Sequence, residues 1–507
     1  MAQSYLIGID IGTQGTKTSL FDADGTNIAE SFETSRLISP SPGIVEQDAD
    51  EIYSSVLNTI REVMGKSGVS PHQVAAIGLD GQMAGIMGID EDWNAVTPYD
   101  SWLDTRCEKY IKKIKDTAEE TVVKITGCPV TYAHGPKVLW WKHERPEIYK
   151  KICKFVLPTA YVVGRMTGLK GSEAYIDYTH LHFSGYGDVL KKEWSREILK
   201  LFDVDGNKMP EIIEPWKVVG GLTKEAADAC GLVSGIPVVA GCGDQAATSL
   251  GAGITSKGIA FDIAGTASVF SCCVDSFEPD VKHKTLLYPR SVIPGLWIPM
   301  AYINGGGLCI RWFRDELSGK GNPLTYDDLN NEAASIPPGS EGLVFLPHFG
   351  GRVCPNNPNI RGTWIGLSWG HNRAHMYRAI MEGIAYEYSH YLKILRELLG
   401  RVPFSHVLAI GGGAKSRFFN SIKADVLGIR YITLRKSDTA TFGSAVVAGY
   451  GVKLYDDIKS FIDKSIVKDT IVDPDFENHK KYQPYAEIYE GLFDTLGDTF
   501  KKLNEAR

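Results

Sequence analysis

A two-domain α/β protein is the architecture this sequence predicts, and three observations carry the prediction. The chain has 507 residues, more than one hydrophobic core accommodates, since cores stop growing near roughly 250–300 residues. Hydrophobic residues make up 43% and charged residues 23%, a soluble, globular balance that excludes disordered, collagen-like and coiled-coil chains. Short apolar strands alternate with amphipathic helices along the sequence, the pattern of partly parallel sheets. The predicted domains are residues 1–252 and 253–507.

The elements follow in chain order. Tyr5–Asp10 is a short apolar strand, and Thr16–Phe21 and Asn27–Ser31 flank Asp24-Gly25, a strong hairpin turn. From Asp50 to Met64, residues Ile52, Val56, Ile60 and Val63 share one helical face, with aspartates at the start and Gly65 as the expected stop. Val74–Leu79 is the next buried strand. Residues 229–256 contain one charge, Asp244, but their glycines and Pro237 rule out a membrane helix. That stretch reads as a strand, Ile236–Ala240, then a small-residue turn and a helix from Gln245, which Asp244 would cap. Further on, a helix runs from Arg373 to Leu399, closed by Gly400; a strand, His406–Ile410, leads into Gly411-Gly412-Gly413; and the helix Arg417–Leu427 ends at Gly428. No repeat of 20–50 residues is present, which excludes solenoids and propellers.

Charge and cysteine usage exclude several functions. Lys and Arg number 54 against 61 Asp and Glu, a net −7, with no basic run to neutralise a nucleic acid backbone. Nine cysteines lack a C-x-x-C pair, so they read as reduced, mostly buried thiols. The opening residues lack the basic and small-residue marks of a secretory signal, and a cytoplasmic location is expected. His180 and His182 read as an alternating strand face, and Trp102 as core.

Two turns could carry phosphate chemistry. The strand ending at Asp10 turns through Gly12, Thr13, Gln14, Gly15 and Thr16, where backbone N–H groups and hydroxyls can meet phosphate oxygens and the carboxylate can hold Mg²⁺ through water. It lacks both the Walker A pattern and G-x-G-x-x-G. A second strand, ending in Asp262-Ile263-Ala264-Gly265-Thr266, echoes it. Two such hairpins, one per domain, resemble the actin, hexokinase and Hsp70 class: two actin-like (ribonuclease H-like) domains with an interdomain cleft. The turn Gly411–Ser416 lets backbone lie flat against a ligand at a helix N-terminus.

Ordered blocks over nearly the whole chain then resemble the FGGY sugar kinases, most of all the xylulokinase branch. They include Gly8–Thr13, Gly81–Gly85, Trp102–Arg106, Gly241–Gln245, Gly265-Thr266 and Gly411–Ala414. The resemblance implies an ATP- and Mg²⁺-dependent kinase acting on a primary hydroxyl of a small sugar, D-xylulose or a related ketopentose. It makes Asp244 the base and Asp10 the metal-associated aspartate, with Asp244 a second candidate beside the ion. Gln82, Met83, Ala84, Asp104, Arg106, Asp244 and Gln245 are implied on the sugar side of the N-terminal domain. Gly12, Thr13, Gln14, Thr16, Gly265, Thr266, Gly307, Gly412, Gly413 and Ala414 are implied along ATP, chiefly in the C-terminal domain. Expected partners are the sugar and ATP, with neither nucleic acid nor membrane, and a homodimer is allowed for.

One departure stands on the sugar side: Ala84 occupies a position where xylulokinases carry histidine, removing a hydrogen-bonding group. Competing expectations are a kinase for another ketose, an alditol, a sugar acid or a branched or signalling sugar, and, in a different class, a non-catalytic nucleotide switch.

Overall fold

The structure is a computed structural model that describes residues 4–319, 321–435 and 438–506. It divides into two compact units. The first holds Met1–Thr255 with Tyr288–Trp297 and Asp438–Ile466; the second holds Ser256–Leu287, Ile298–Ser437 and Val467–Arg507. Two segments that follow residue 252 in sequence therefore pack in the first unit.

Seven strands build the sheet of the first unit: β1 (Tyr5–Ile11), β2 (Gly15–Asp22), β3 (Asn27–Thr34), β4 (Val74–Gly81), β5 (Val218–Gly221), β6 (Pro237–Val239) and β7 (Cys242–Gly243). Their order is β5-β6-β4-β1-β2-β3, with β7 also beside β4. Isoleucines 7, 9 and 11 of β1 face the core shared with helix Ala49–Ser67. The opposite face takes helix Ala440–Gly451, and glycines make room for it: a Cβ at Gly8 would stand 1.8 Å from the Thr441 carbonyl oxygen, and one at Gly78 2.1 Å from that of Ser444. This close seating is why a late segment of the chain belongs to the first unit.

The second unit repeats the plan with β8 (Ile259–Ala264), β9 (Ser268–Cys272), β10 (Met300–Ile303), β11 (His406–Ile410), β12 (Arg430–Leu434) and β13 (Lys468–Val472), ordered β10-β9-β8-β11-β12-β13. In both sheets three antiparallel strands open the fold, two parallel strands follow and an antiparallel edge strand closes it. The sequence echo between Asp10 and Asp262 reflects this shared plan.

Several expected elements sit where the sequence puts them, including helices Arg373–Leu399 and Arg417–Leu427. Others differ for physical reasons. Helix Ala49–Ser67 continues through Gly65 and ends at Gly68, whose φ of 66° supplies the left-handed turn. Its start is fixed by Asp48, whose side chain accepts from the N–H groups of Asp50 and Glu51. His180 and His182 lie on a turn and the 3₁₀ helix Leu181–Ser184, not on a strand; both are buried, each tied through Nδ1 to a neighbouring residue. Eight of the nine cysteines are buried, Cys153 partly so, and all are free thiols. Among the described residues no helix is long and apolar enough to cross a membrane.

Candidate active site

The first cluster forms where β1, β4 and β7 end side by side. Parallel register sets Asp10 opposite Asp80, and Asp80 opposite Cys242. Period-two alternation therefore points all three side chains to the face covered by helix Ala440–Gly451. From that helix Ser444 donates its hydroxyl to Asp80 Oδ2. Two residues after Cys242, helix Asp244–Gly251 begins with Asp244 itself, so this aspartate occupies the first turn rather than the cap. Its Oδ1 accepts the Gln245 N–H at 2.6 Å; among the described residues no other donor reaches the carboxylate.

Burial, and then the charge of Asp244, push the carboxyl of Asp10 up to about 7, against the neighbouring Asp80 side chain and the charge of Lys17, which act the other way. Asp80 is fully buried and is raised well above the usual range, by desolvation first and the charge of Asp10 second. Of the two carboxyls, Asp80 is thus the one that holds its proton more firmly. Asp10 Oδ1 and Asp80 Oδ1 are both enclosed without a hydrogen-bond partner. Burial also lifts Asp244, to about 6, against the Gln245 N–H and the charge of His180, which favour its ionised form.

A carboxyl whose folded pKa is raised favours the native state most at low pH, and that contribution is lost as pH rises toward the folded value. Stability should therefore fall from pH 5 to pH 8 through this pair. Asp80→Asn keeps an acceptor for Ser444 and a donor for Asp10 while removing the titration. Denaturant midpoints at the two pH values should show the variant losing less on the alkaline side than the parent, by more than about 1 kcal/mol, the equivalent of one pK unit. Parallel losses in both proteins would contradict a raised titration of Asp80.

Beside this pair lies a chain of hydrogen bonds. Trp102 donates its indole N–H to Thr13 Oγ1 at 2.8 Å, Thr13 donates to Gln82 Oε1 at 3.1 Å, and Gln82 donates to Gln47 Oε1 at 2.8 Å. Trp102 is thus a partly exposed polar contact rather than core. Gln245 is partly exposed, with its Oε1 enclosed and unpartnered. Met83 is buried, its carbonyl bonded to the ring of His134 at 2.6 Å, and Ala84 is partly exposed. Gln14 is exposed on the Gly12–Gly15 turn, which is closed by a 3.0 Å hydrogen bond between those two glycines.

Three expected side-chain contacts are placed elsewhere. Thr16 pairs with Ile11 in the hairpin, on the face opposite Asp10. Its hydroxyl is buried and bonds Ser55 Oγ at 2.7 Å, so it does not face a phosphate. Asp104 is fully buried: its oxygens take the Val45 N–H at 2.8 Å and the Arg106 Nε at 2.8 and 2.9 Å. Arg106 also reaches Glu46 at 2.6 Å. This pair is a structural ion pair whose groups hold one another and the neighbouring loop, not a sugar contact.

In the second unit, three glycine turns gather at the end of β8. A Cβ at Gly307 would stand 1.8 Å from the Gly265 oxygen, and one at Gly413 would stand 2.6 Å from Ala264 Cβ. Leu308 N–H donates to the Thr266 oxygen at 3.2 Å. Gly265, Thr266, Gly307, Gly412, Gly413 and Ala414 are thereby brought to one place, with Thr266 and Gly412 exposed. The two hairpins differ in one respect. One residue separates Asp10 from Gly12 and two separate Asp262 from Gly265, which turns Asp262 away from its hairpin tip. It is buried instead between Lys423, its ion-pair partner, and Tyr388, whose hydroxyl donates at 2.8 Å.

Asp80 and His180 were not singled out as site residues from sequence. A lone carboxylate at the end of the apolar run Val74–Leu79 was the available signal for Asp80; nothing local marks His180.

Comparison with known proteins accounts for both units. Residues 5–251 match the N-terminal domain, and residues 262–452 the C-terminal domain, of the FGGY family of carbohydrate kinases. The xylulose kinase of Staphylococcus epidermidis is 28% identical over 495 residues, covering 97% of each chain. The gluconokinase of Bacillus subtilis is 26% identical over 513 residues, covering 99% of this chain and 98% of its own. Among solved structures, the xylulose kinase of Rhodospirillum rubrum superposes with a TM-score of 0.89 at 26% identity, over 98% of this chain and all of that one.

Proposed function

Because the chain belongs to the FGGY family of carbohydrate kinases, we propose that it moves the γ-phosphoryl group of ATP onto the primary hydroxyl of D-xylulose or a closely related ketopentose. The observation that carries this reading is Asp244. One carboxylate oxygen is fixed by the Gln245 N–H and the other meets no donor, beside enclosed polar atoms on Gln245 and Asp10 that have no donor of their own. Xylulose kinases of similar length over the whole chain support the choice of sugar.

Asp244 takes the proton of the sugar hydroxyl as its oxygen bonds to phosphorus and the bond to the ADP oxygen breaks. Raised to about 6, its carboxyl is mostly ionised at neutral pH yet basic enough to accept a proton. Gln82, Met83, Ala84 and Gln245 border the sugar. In the second unit Gly265, Gly307, Gly412, Gly413 and Ala414, with Thr266, lie along ATP, where small residues let backbone approach the nucleotide; in the first unit the turn of Gly12, Thr13 and Gln14 is of the kind that takes phosphate oxygens. Asp10 fits Mg²⁺, because its enclosed oxygen lacks a donor and sits among carboxylates whose repulsion a cation relieves. Among the described residues no set of three or more ligating side chains could hold a metal, so Asp10 would act through water, with the phosphates as the other ligands. The ion supplies charge neutralisation for phosphoryl transfer. A cytoplasmic location completes the reading, which is compatible with a monomer or a homodimer.

ADP release with Mg²⁺-ATP against ketopentoses, alditols and gluconate tests it through kcat/KM. Xylulose or a neighbouring ketopentose should lead; gluconate in first place would transfer the assignment to the reading that the gluconokinase relative favours. With the best sugar, kcat should be level at and above pH 7 and fall about tenfold per pH unit below about 6, as Asp244 is protonated. A profile flat to pH 5 would remove a titrating base from the rate.

A further inference from the structure

The chain of hydrogen bonds beside Asp10 has a direction that the reaction as described does not use. Trp102 Nε1–H donates to Thr13 Oγ1 at 2.8 Å, the Thr13 hydroxyl donates to Gln82 Oε1 at 3.1 Å, and Gln82 Nε2 donates to Gln47 Oε1 at 2.8 Å. Gln47 and Gln82 are each 2% exposed, so water does not stand in for a missing partner. With Nε2 committed to Gln47, the Gln82 amide turns its oxygen toward Thr13. Thr13 has one hydroxyl hydrogen, and Gln82 holds it; the indole N–H of Trp102, which can only donate, occupies a lone pair of the same oxygen.

Both ends of the chain are pinned. Gln47 lies on the short strand Glu46–Gln47, which pairs with Tyr99–Asp100, and Trp102 follows soon after that partner strand. The Asp104–Arg106 pair holds both segments: Arg106 reaches Glu46, next to Gln47, at 2.6 Å, and Asp104 takes the Val45 N–H at 2.8 Å. Gln82 is itself tied to the end of β1 by its N–H, which meets the Ile11 oxygen at 3.2 Å. Thr13, in the middle, is partly exposed on the Gly12–Gly15 turn and open to a ligand.

We propose that Gln47 is a positioning residue that makes sugar and ATP bind cooperatively, by turning the Gln82 amide so that the one hydroxyl hydrogen of Thr13 serves both substrates. This rests on the kinase reading, which sets Gln82 beside the sugar and Thr13 on the phosphate turn, and extends it. Before binding, the hydrogen rests on Gln82. To donate to a phosphate oxygen, Thr13 must release it, and the buried Gln82 oxygen is then left unpaired, which is unfavourable. A sugar hydroxyl that donates to that oxygen removes the penalty. Each substrate therefore favours the other, by the same factor in both directions. With the amide reversed, Nε2 would donate to Thr13 and leave its hydrogen free, and the two sites would be independent.

Calorimetry of the whole chain measures the coupling, with the leading sugar of the panel (D-xylulose on the reading above) titrated alone and with Mg²⁺ and a β,γ-imido analogue of ATP. In the parent the analogue should tighten the sugar about tenfold, the order of one hydrogen bond, and the sugar should tighten the analogue equally. Gln47→Met removes the acceptor at similar length and should bring the factor below about threefold, while sugar affinity without nucleotide stays within about threefold of the parent. Gln47→Glu, whose carboxylate accepts and cannot donate, should keep the coupling. Thr13→Val has no hydrogen to share and should lose it; adding Gln47→Met should then lower it no further. Thr13→Val also carries the test if Gln47→Met does not fold. Absence of coupling in the parent, full coupling in Gln47→Met or Thr13→Val, or its loss in Gln47→Glu would each overturn the proposal. Equal weakening of the sugar with and without nucleotide, the mark of a merely structural role, would do the same. A parent that binds no sugar of the panel would refute the kinase reading itself, and the proposal with it.

Discussion

Asp244→Asn is expected to lower kcat by about 10²–10⁴, the usual contribution of a general base, while sugar and nucleotide still bind within about threefold. Asparagine keeps an oxygen for the Gln245 N–H, which in the parent meets Asp244 at 2.6 Å, and it preserves the volume at the start of helix Asp244–Gly251. What it removes is the lone pair that takes the proton. Steady-state ADP release measures the loss, and calorimetry of each substrate separates it from binding. The variant should also lose the acid limb of the pH profile, since that limb belongs to this carboxylate. Full turnover in the variant would place the base elsewhere.

The largest expected effect on stability lies in the second unit. Lys423→Met should destabilise the protein by about 3–5 kcal/mol, because it strands Asp262 as an uncompensated buried charge. Both partners of this ion pair are fully buried, and Tyr388 donates one further hydrogen bond to Asp262 at 2.8 Å. Chemical denaturation measures the loss. Adding Asp262→Asn should restore most of it, since the amide still accepts from Tyr388 and carries no charge. A cost below about 1 kcal/mol for Lys423→Met would show that water reaches Asp262.

The same residue shows how far sequence carries. Read along the chain, Asp262-Ile-Ala-Gly-Thr repeats Asp10-Ile-Gly-Thr, and the repeat does report a duplicated sheet order. One extra residue before the glycine turns the second aspartate away from its hairpin, and only the paired strands and the helices over them show that Lys423 neutralises it. Asp104 and Arg106 teach a similar lesson: two residues apart, they fit a polar site equally well as a structural pair, and the choice rests on Glu46 and the Val45 N–H, which arrive from elsewhere in the chain. Thr16 was misplaced because strand alternation assigns its face only once the register with Ile11 is known.

By itself the sequence determined the α/β class, the bounds of helices Arg373–Leu399 and Arg417–Leu427, the glycine turns and the isolation of Asp244, because these follow from local periodicity, turn chemistry and the scarcity of charge. The tertiary structure decided which carboxylates meet. Asp10 and Asp80 come from two strands and Ser444 from a helix more than 360 residues later, and the Asp177–His180 pair is tied to the backbone beside Asp244 through Thr179 and Gly243. Burial and long-range neighbours set the charge of such groups, and neither is written in the residues beside them.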